Sequence, residues 1–224
     1  MNSLLIDSIF RNHTTSKNGN KGASNAASRI AGKRAKSASK GGMMTKRTPV
    51  HVWHLEMTAR PDKTTKARNY TLQKTARPMP ELNRFLYTAV GGPWLWYQRL
   101  GWQWHDWNAW LSRPSVETWV AYQDATPIGY FELERQTDAS AEIAYFGLVP
   151  EFIGKGFGRQ LLEDAIEKAW NLADKRIWLH TCSFDHPGAL PNYLARGFSL
   201  FKEEDFQVDA PAERLQPWPN AAKP

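Results

Sequence analysis

Residues 141–169 read AEIAYFGLVPEFIGKGFGRQLLEDAIEKA. The first half alternates as a strand does, with Glu142, Ala144, Phe146 and Leu148 expected on one face and Ile143, Tyr145, Gly147 and Val149 on the other. Both sets are largely apolar, the pattern of a strand covered on both sides of its sheet. Val149-Pro150 ends it, because proline brings no N–H to the ladder. Gly154, Gly156 and Gly158 follow at alternate positions. Leu161, Leu162, Ala165, Ile166, Ala169 and Trp170 then form one stripe at helical spacing.

A strand, a glycine loop and a helix in this order can hold a phosphate. Glycine turns the backbone through φ > 0 and carries no Cβ to keep a ligand away. The first turn of the helix offers free N–H groups at the positive end of its dipole. Spacing excludes two common phosphate motifs. A P-loop needs Lys followed by Ser or Thr, but Lys155 is followed by Gly156. The dinucleotide fingerprint needs its third glycine one residue later than Gly158.

The spacing G-x-G-x-G before a helix, preceded by Val-Pro-Glu, resembles the pyrophosphate loop of the GCN5-related N-acetyltransferases (GNAT). The match departs from that family's signature at Ile153, where Arg or Gln is usual. A second motif agrees: Ala189, Tyr193 and Gly197-Phe198 have the spacing of the family's C-terminal pattern. His186 stands where the family often has Asn. The likeness runs from about Val50 to Val208, in the order strand, helix, helix, three strands, helix, strand, helix, strand. Those elements are expected at Val50–Met57, Pro80–Val90, Trp104–Leu111, Glu117–Tyr122, Ile128–Glu134, the 141–149 strand and its helix, Arg176–Cys182, Pro187–Arg196 and Ser199–Val208. Residues 58–79 read as a polar loop or extended arm. The resemblance implies an α/β (α+β) domain. Its sheet would be mixed and mostly antiparallel, of six to seven strands flanked by helices, with a splayed strand pair at an acetyl-CoA cleft.

It also implies the chemistry. Acetyl-CoA is the expected co-substrate, with no metal and no covalent enzyme intermediate. The main-chain amides at Phe146 and Leu148 are expected to face the pantetheine arm. The pyrophosphate falls to Ile153, Gly154, Lys155, Gly156, Phe157, Gly158 and Arg159. Tyr193 is the candidate general acid for the leaving thiolate, since a phenol of pKa about 10 can serve a thiol of pKa about 8.5 once the two are hydrogen-bonded. Glu142 is the candidate general base, on the same expected face as Phe146 and Leu148, with Glu132, Glu134, His180 and His186 as rivals. Seven tryptophans lie between Trp94 and Trp119. Trp94, Trp96 and Trp102 are the candidates for contact with the acceptor, by stacking or cation–π attraction. The expected activity is acetyl transfer to a primary amine of a small molecule or peptide. A non-catalytic CoA-binding module and an RNA-associated acetyltransferase are the alternatives. The resemblance allows a homodimer.

Composition bounds the rest. The net charge of +7 is uneven: residues 1–47 hold ten Lys/Arg against one acid, whereas residues 48–224 carry a net −2. Residues 1–47 therefore read as a disordered basic leader, residues 48–210 as the folded domain and 211–224 as a flexible tail. The leader fits an organellar transit peptide, a nucleic-acid arm or an over-extended start ahead of Met43 or Met44. Without it the protein is expected to be cytoplasmic. One cysteine, Cys182, excludes an internal disulfide and a Cys-built zinc site. No stretch reaches the ~18 apolar residues of a membrane span.

Overall fold

The computed structural model describes residues 45–62 and 67–213. The expectations for the leader up to residue 44 and for the tail from residue 214 lie outside these residues. Seven strands make one sheet: β1 (Thr45–Met57), β2 (Thr71–Lys74), β3 (Val116–Gln123), β4 (Thr126–Arg135), β5 (Ser140–Leu148), β6 (Arg176–Cys182) and β7 (Ser199–Pro211). Four α-helices are described: α1 (Pro80–Gly91), α2 (Trp104–Leu111), α3 (Phe157–Trp170) and α4 (Ala189–Leu194). The strand order is β2-β3-β4-β5-β6-β1-β7. Every neighbouring pair is antiparallel except β5 and β6. This is the mixed, mostly antiparallel α+β architecture expected. No helix among the described residues is long and apolar enough to cross a membrane.

The helical stripe of α3 covers one face of the sheet. Leu161, Leu162 and Ala165 are fully buried there with Phe131, Leu133, Ile143 and Ile177. Tyr193 of α4 and Phe198 join the same core. On the opposite face Leu86 and Val90 of α1 pack with Val120 and Tyr130. The centre of the sheet is thus covered twice, which explains the near-continuous apolar runs of β4 and β5.

The strand ends differ from expectation in three places. β1 begins at Thr45 rather than Val50, and its polar start pairs only with β7, out to Thr45↔Pro211. β7 accordingly runs past Val208. Within the polar arm, Thr71–Lys74 adds an edge strand to β3. Three of its four residues are exposed, so no alternation marks them.

One further difference reorders the site. β4 and β5 pair Glu132↔Tyr145 and then Leu133↔Ile143, leaving Ala144 without a partner. This is a β-bulge: two residues of one strand stand opposite one of the other, and alternation shifts by one. Glu142 therefore shares its face with Glu132, Glu134 and Tyr145, while Ile143, Phe146 and Leu148 share theirs with Leu133 and Phe131. Simple alternation had put Glu142 with Phe146 and Leu148; the bulge separates them.

Candidate active site

β5 and β6 run parallel for only three pairs, from Ser140↔Arg176 to Glu142↔Trp178. Beyond these they diverge, and a cavity of about 390 Å³ opens between them. Main-chain groups along the freed edges have no ladder partner across the gap. Phe146 and Leu148 wall the cavity from β5, and Leu179, His180 and Cys182 wall it from β6. Gly147 belongs to the α1 side of this wall, since a Cβ there would lie 2.5 Å from Val90 Cγ1.

The glycine loop lies at one end. Ile153, Gly154, Gly156, Gly158 and Arg159 all line the cavity. Gly154 and Gly156 have φ of +81° and +85°, which L side chains rarely adopt, and a Cβ on either would meet only open space. Gly156 caps α3 with no side-chain hydrogen bond, so the helix's first N–H groups have no protein acceptor from a cap. Asn192 Nδ2 donates to the Gly158 carbonyl at 3.3 Å and ties α4 to the loop. The Arg159 side chain is half-exposed and pairs with Glu163 at 3.1 Å. The side chains of Lys155 and Phe157 do not line the cavity. Lys155 Nζ sits 5.3 Å from the centre of the Phe152 ring, and Phe157 is buried in the core. In this arrangement the two residues meet the loop through their main chain.

Tyr193 is buried on the cavity wall, its ring 6.0 Å from Phe146 and 6.2 Å from Phe198. Burial, and then the nearby Asp185 and Cys182, raise its phenol well above the ordinary value, so it stays protonated. Burial likewise pushes the Cys182 thiol up to about 12, which keeps it from being a thiolate nucleophile. Asp185 accepts from Thr181 Oγ1 at 2.7 Å, from the Cys182 N–H at 3.0 Å and from Trp96 Nε1 at 3.3 Å. His186 Nδ1 accepts the Gly188 N–H at 2.9 Å, which assigns the proton of the neutral ring to Nε2.

Of the candidate bases, Glu142 is 1% exposed and does not reach the cavity wall. One of its oxygens accepts from Gln136 Nε2 at 3.3 Å, and the other lies 3.6 Å from His180 Nδ1. Glu132 is fully buried and taken up by Asn83, Arg99 and Trp110, at 2.9, 2.8 and 3.0 Å. Glu134 pairs with Arg113 at 2.7 Å.

Trp94 and Trp96 line the far end of the cavity, and Trp102 does not. Trp102 packs instead on the guanidinium of Arg99, 4.6 Å from its ring centre. Trp110 and Tyr145 each lie 4.2 Å from the same group. The aromatic cluster thus encloses the protein's own cation, and the expectation of an acceptor contact narrows to Trp94 and Trp96. Arg99 was missed by sequence reasoning, although a lone Arg amid tryptophans was the available signal. Trp96 is held by close packing, since a Cβ on Gly91 would come within 2.1 Å of its ring.

No curated protein matches the chain. A GCN5-related N-acetyltransferase from Sphaerobacter thermophilus has a TM-score of 0.50 at 15% identity, over 73% of this chain and 53% of that one. A conserved protein of unknown function from Staphylococcus epidermidis has a TM-score of 0.49 at 18% identity, and the chain covers 62% of its length (74% of its own). A GNAT family acetyltransferase from Elizabethkingia anophelis, solved with acetyl-CoA bound, has a TM-score of 0.45 at 23% identity, over 61% of this chain and 80% of that one. This chain thus spans only about three fifths of the length of the Staphylococcus protein. The model of the acetyltransferase (GNAT) family matches residues 79–198, from the turn before α1 to the Phe198 that follows α4, and takes in both glycine motifs. More than half of the sequence lies within that match, and the chain belongs to the GNAT acetyltransferase family.

Proposed function

We propose that the protein transfers the acetyl group of acetyl-CoA directly to a primary amine. The observation that carries this reading is the wedge between β5 and β6, which opens at one end onto the glycine loop and has Tyr193 on its wall. The residues fit the co-substrate. Two left-handed glycines with open space above them make room for a pyrophosphate against the amides of residues 154–159. The apolar walls from Phe146 and Leu148 suit the pantetheine arm.

When bound, acetyl-CoA supplies an activated acyl carbon on a good leaving group. The freed edge of β5 polarises that carbonyl through its N–H groups. Tyr193, kept neutral by burial, protonates the departing sulfur. Glu142, the base expected from sequence, lies behind the cavity wall and can serve the proton of the amine only indirectly. The acceptor enters past Trp94 and Trp96.

Replacing Tyr193 with Phe keeps the ring packing and removes the proton. The expected result is a kcat lower by about 10²- to 10⁴-fold with little change in KM for acetyl-CoA. Thiol release measured over a panel of amines checks this. An unaltered kcat would remove Tyr193 from the reaction, and absence of calorimetric acetyl-CoA binding would remove the reaction itself.

A further inference from the structure

We propose that His180 is the general base of the acetyl transfer, and that Glu142 is a positioning residue acting only through its ring; this rests on the transferase reading above.

The argument begins with two orphaned atoms. Glu142 Oε1 and His180 Nδ1 are both shut off from solvent, and neither has a hydrogen-bond partner within normal range. They face each other at 3.6 Å. Buried polar groups are rarely left unpaired, and catalytic hydrogen bonds are often long before substrate binds. A small closure makes Nδ1–H a donor to the carboxylate. The proton is then fixed on Nδ1, and Nε2 is left bare as the basic nitrogen.

Position supports the same assignment. His180 lines the cavity on β6, beyond the last β5–β6 pair at Trp178, whereas Glu142 lies behind it. The bulge at Ala144 produces this order, because it turns Glu142 onto the face that carries His180. The alternatives are occupied. Glu132 is held by Arg99 and Glu134 by Arg113. Asp185 accepts three donors, and His186 spends its bare nitrogen on the Gly188 amide.

Among the described residues, further titratable groups beside the ring come from β1 and β7. The His54 ring lies 6.1 Å away, bound to Glu204 at 2.9 Å, which Lys202 holds in turn at 2.8 Å. Burial, and then the neighbouring His180, lower the pKa of His54.

The protons balance. His180 Nε2 takes one proton from the acceptor ammonium, and the freed lone pair forms the N–C bond as the C–S bond breaks. Tyr193 gives its proton to sulfur. The second proton lost by the amine nitrogen restores Tyr193, and His180 returns the first to solvent.

Four variants and two acceptors test this. Primary alkylamines are charged at neutral pH and need the base, whereas hydroxylamine is already neutral. His180→Gln is expected to lower kcat/KM for a primary alkylamine about 10²- to 10³-fold and to abolish the acidic limb of its pH profile, with only a slight effect on hydroxylamine. His180→Ala should regain part of the alkylamine rate on addition of imidazole. Glu142→Gln should lower the rate less and move the acidic limb to lower pH, and Glu142→Asp should restore part of the shift. NMR titration of His180 in the CoA-loaded protein, which needs no acceptor, should show its pKa fall in Glu142→Gln. An equal fall with both acceptors, an acidic limb that survives His180→Gln, or a His180 titration indifferent to Glu142 would overturn the proposal. Calorimetry with acetyl-CoA separates the two readings. Wild type that fails to bind defeats the transferase assignment, whereas intact binding with any of those results defeats the dyad alone.

Discussion

The side chain of Arg99 has no exposed surface, and its partner Glu132 has none either. The guanidinium is enclosed by Trp102, Trp107, Trp110 and Tyr145 and bonds one carboxylate oxygen at 2.8 Å. Asn83 Nδ2 bridges the other oxygen to Thr118 Oγ1. Removing one member of such a pair leaves the other charge buried with no counter-ion. Arg99→Met is expected to lower stability by about 3–5 kcal/mol, read by chemical denaturation, and Arg99→Met with Glu132→Gln to recover part of it. None of this follows from neighbours in the chain, since Arg99 meets Glu132 only through the fold. The glycines and Tyr193 were legible because their signature is local spacing. The burial of Arg99 was not, because arginine is mostly a surface residue.

At the scale of elements, α3 with its preceding loop was the most legible part. Its period of 3.6, its glycines and the end of the preceding strand at Val149-Pro150 are all written in consecutive residues. β2 was illegible for the opposite reason, being short, polar and defined only by its partner β3. The bulge at Ala144 was illegible too, since an apolar strand reads alike in either register. The loop makes a quantitative expectation possible. Gly156→Ala puts a Cβ at φ +85°, a strain of about 1–2 kcal/mol. The added methyl also enters the open space where the pyrophosphate is proposed. Acetyl-CoA affinity, measured by calorimetry, should therefore fall by more than thermal stability does.

Across the whole molecule, β1 joins the half of the sheet that carries the cavity to β7, and His54 sits at their junction. Burial holds His54 below its ordinary pKa of 6.5, with His180 adding to the depression and Glu204 opposing it. The unfolded chain therefore binds this proton first as pH falls. The contribution of the neutral ring is fully present above pH 6.5 and is lost as pH drops from there through the lower folded value. The Tm of wild type should decline more steeply with acidification across that window than that of His54→Gln. The odd residue at Ala144 has a final consequence. Excising it would leave composition and hydropathy almost unaltered, yet it would rotate the first part of β5 by half a turn against the rest. A carboxylate would enter the greasy layer beneath α3, and an isoleucine would stand beside the imidazole. The geometry proposed for the reaction is thus encoded in strand length as much as in side-chain identity.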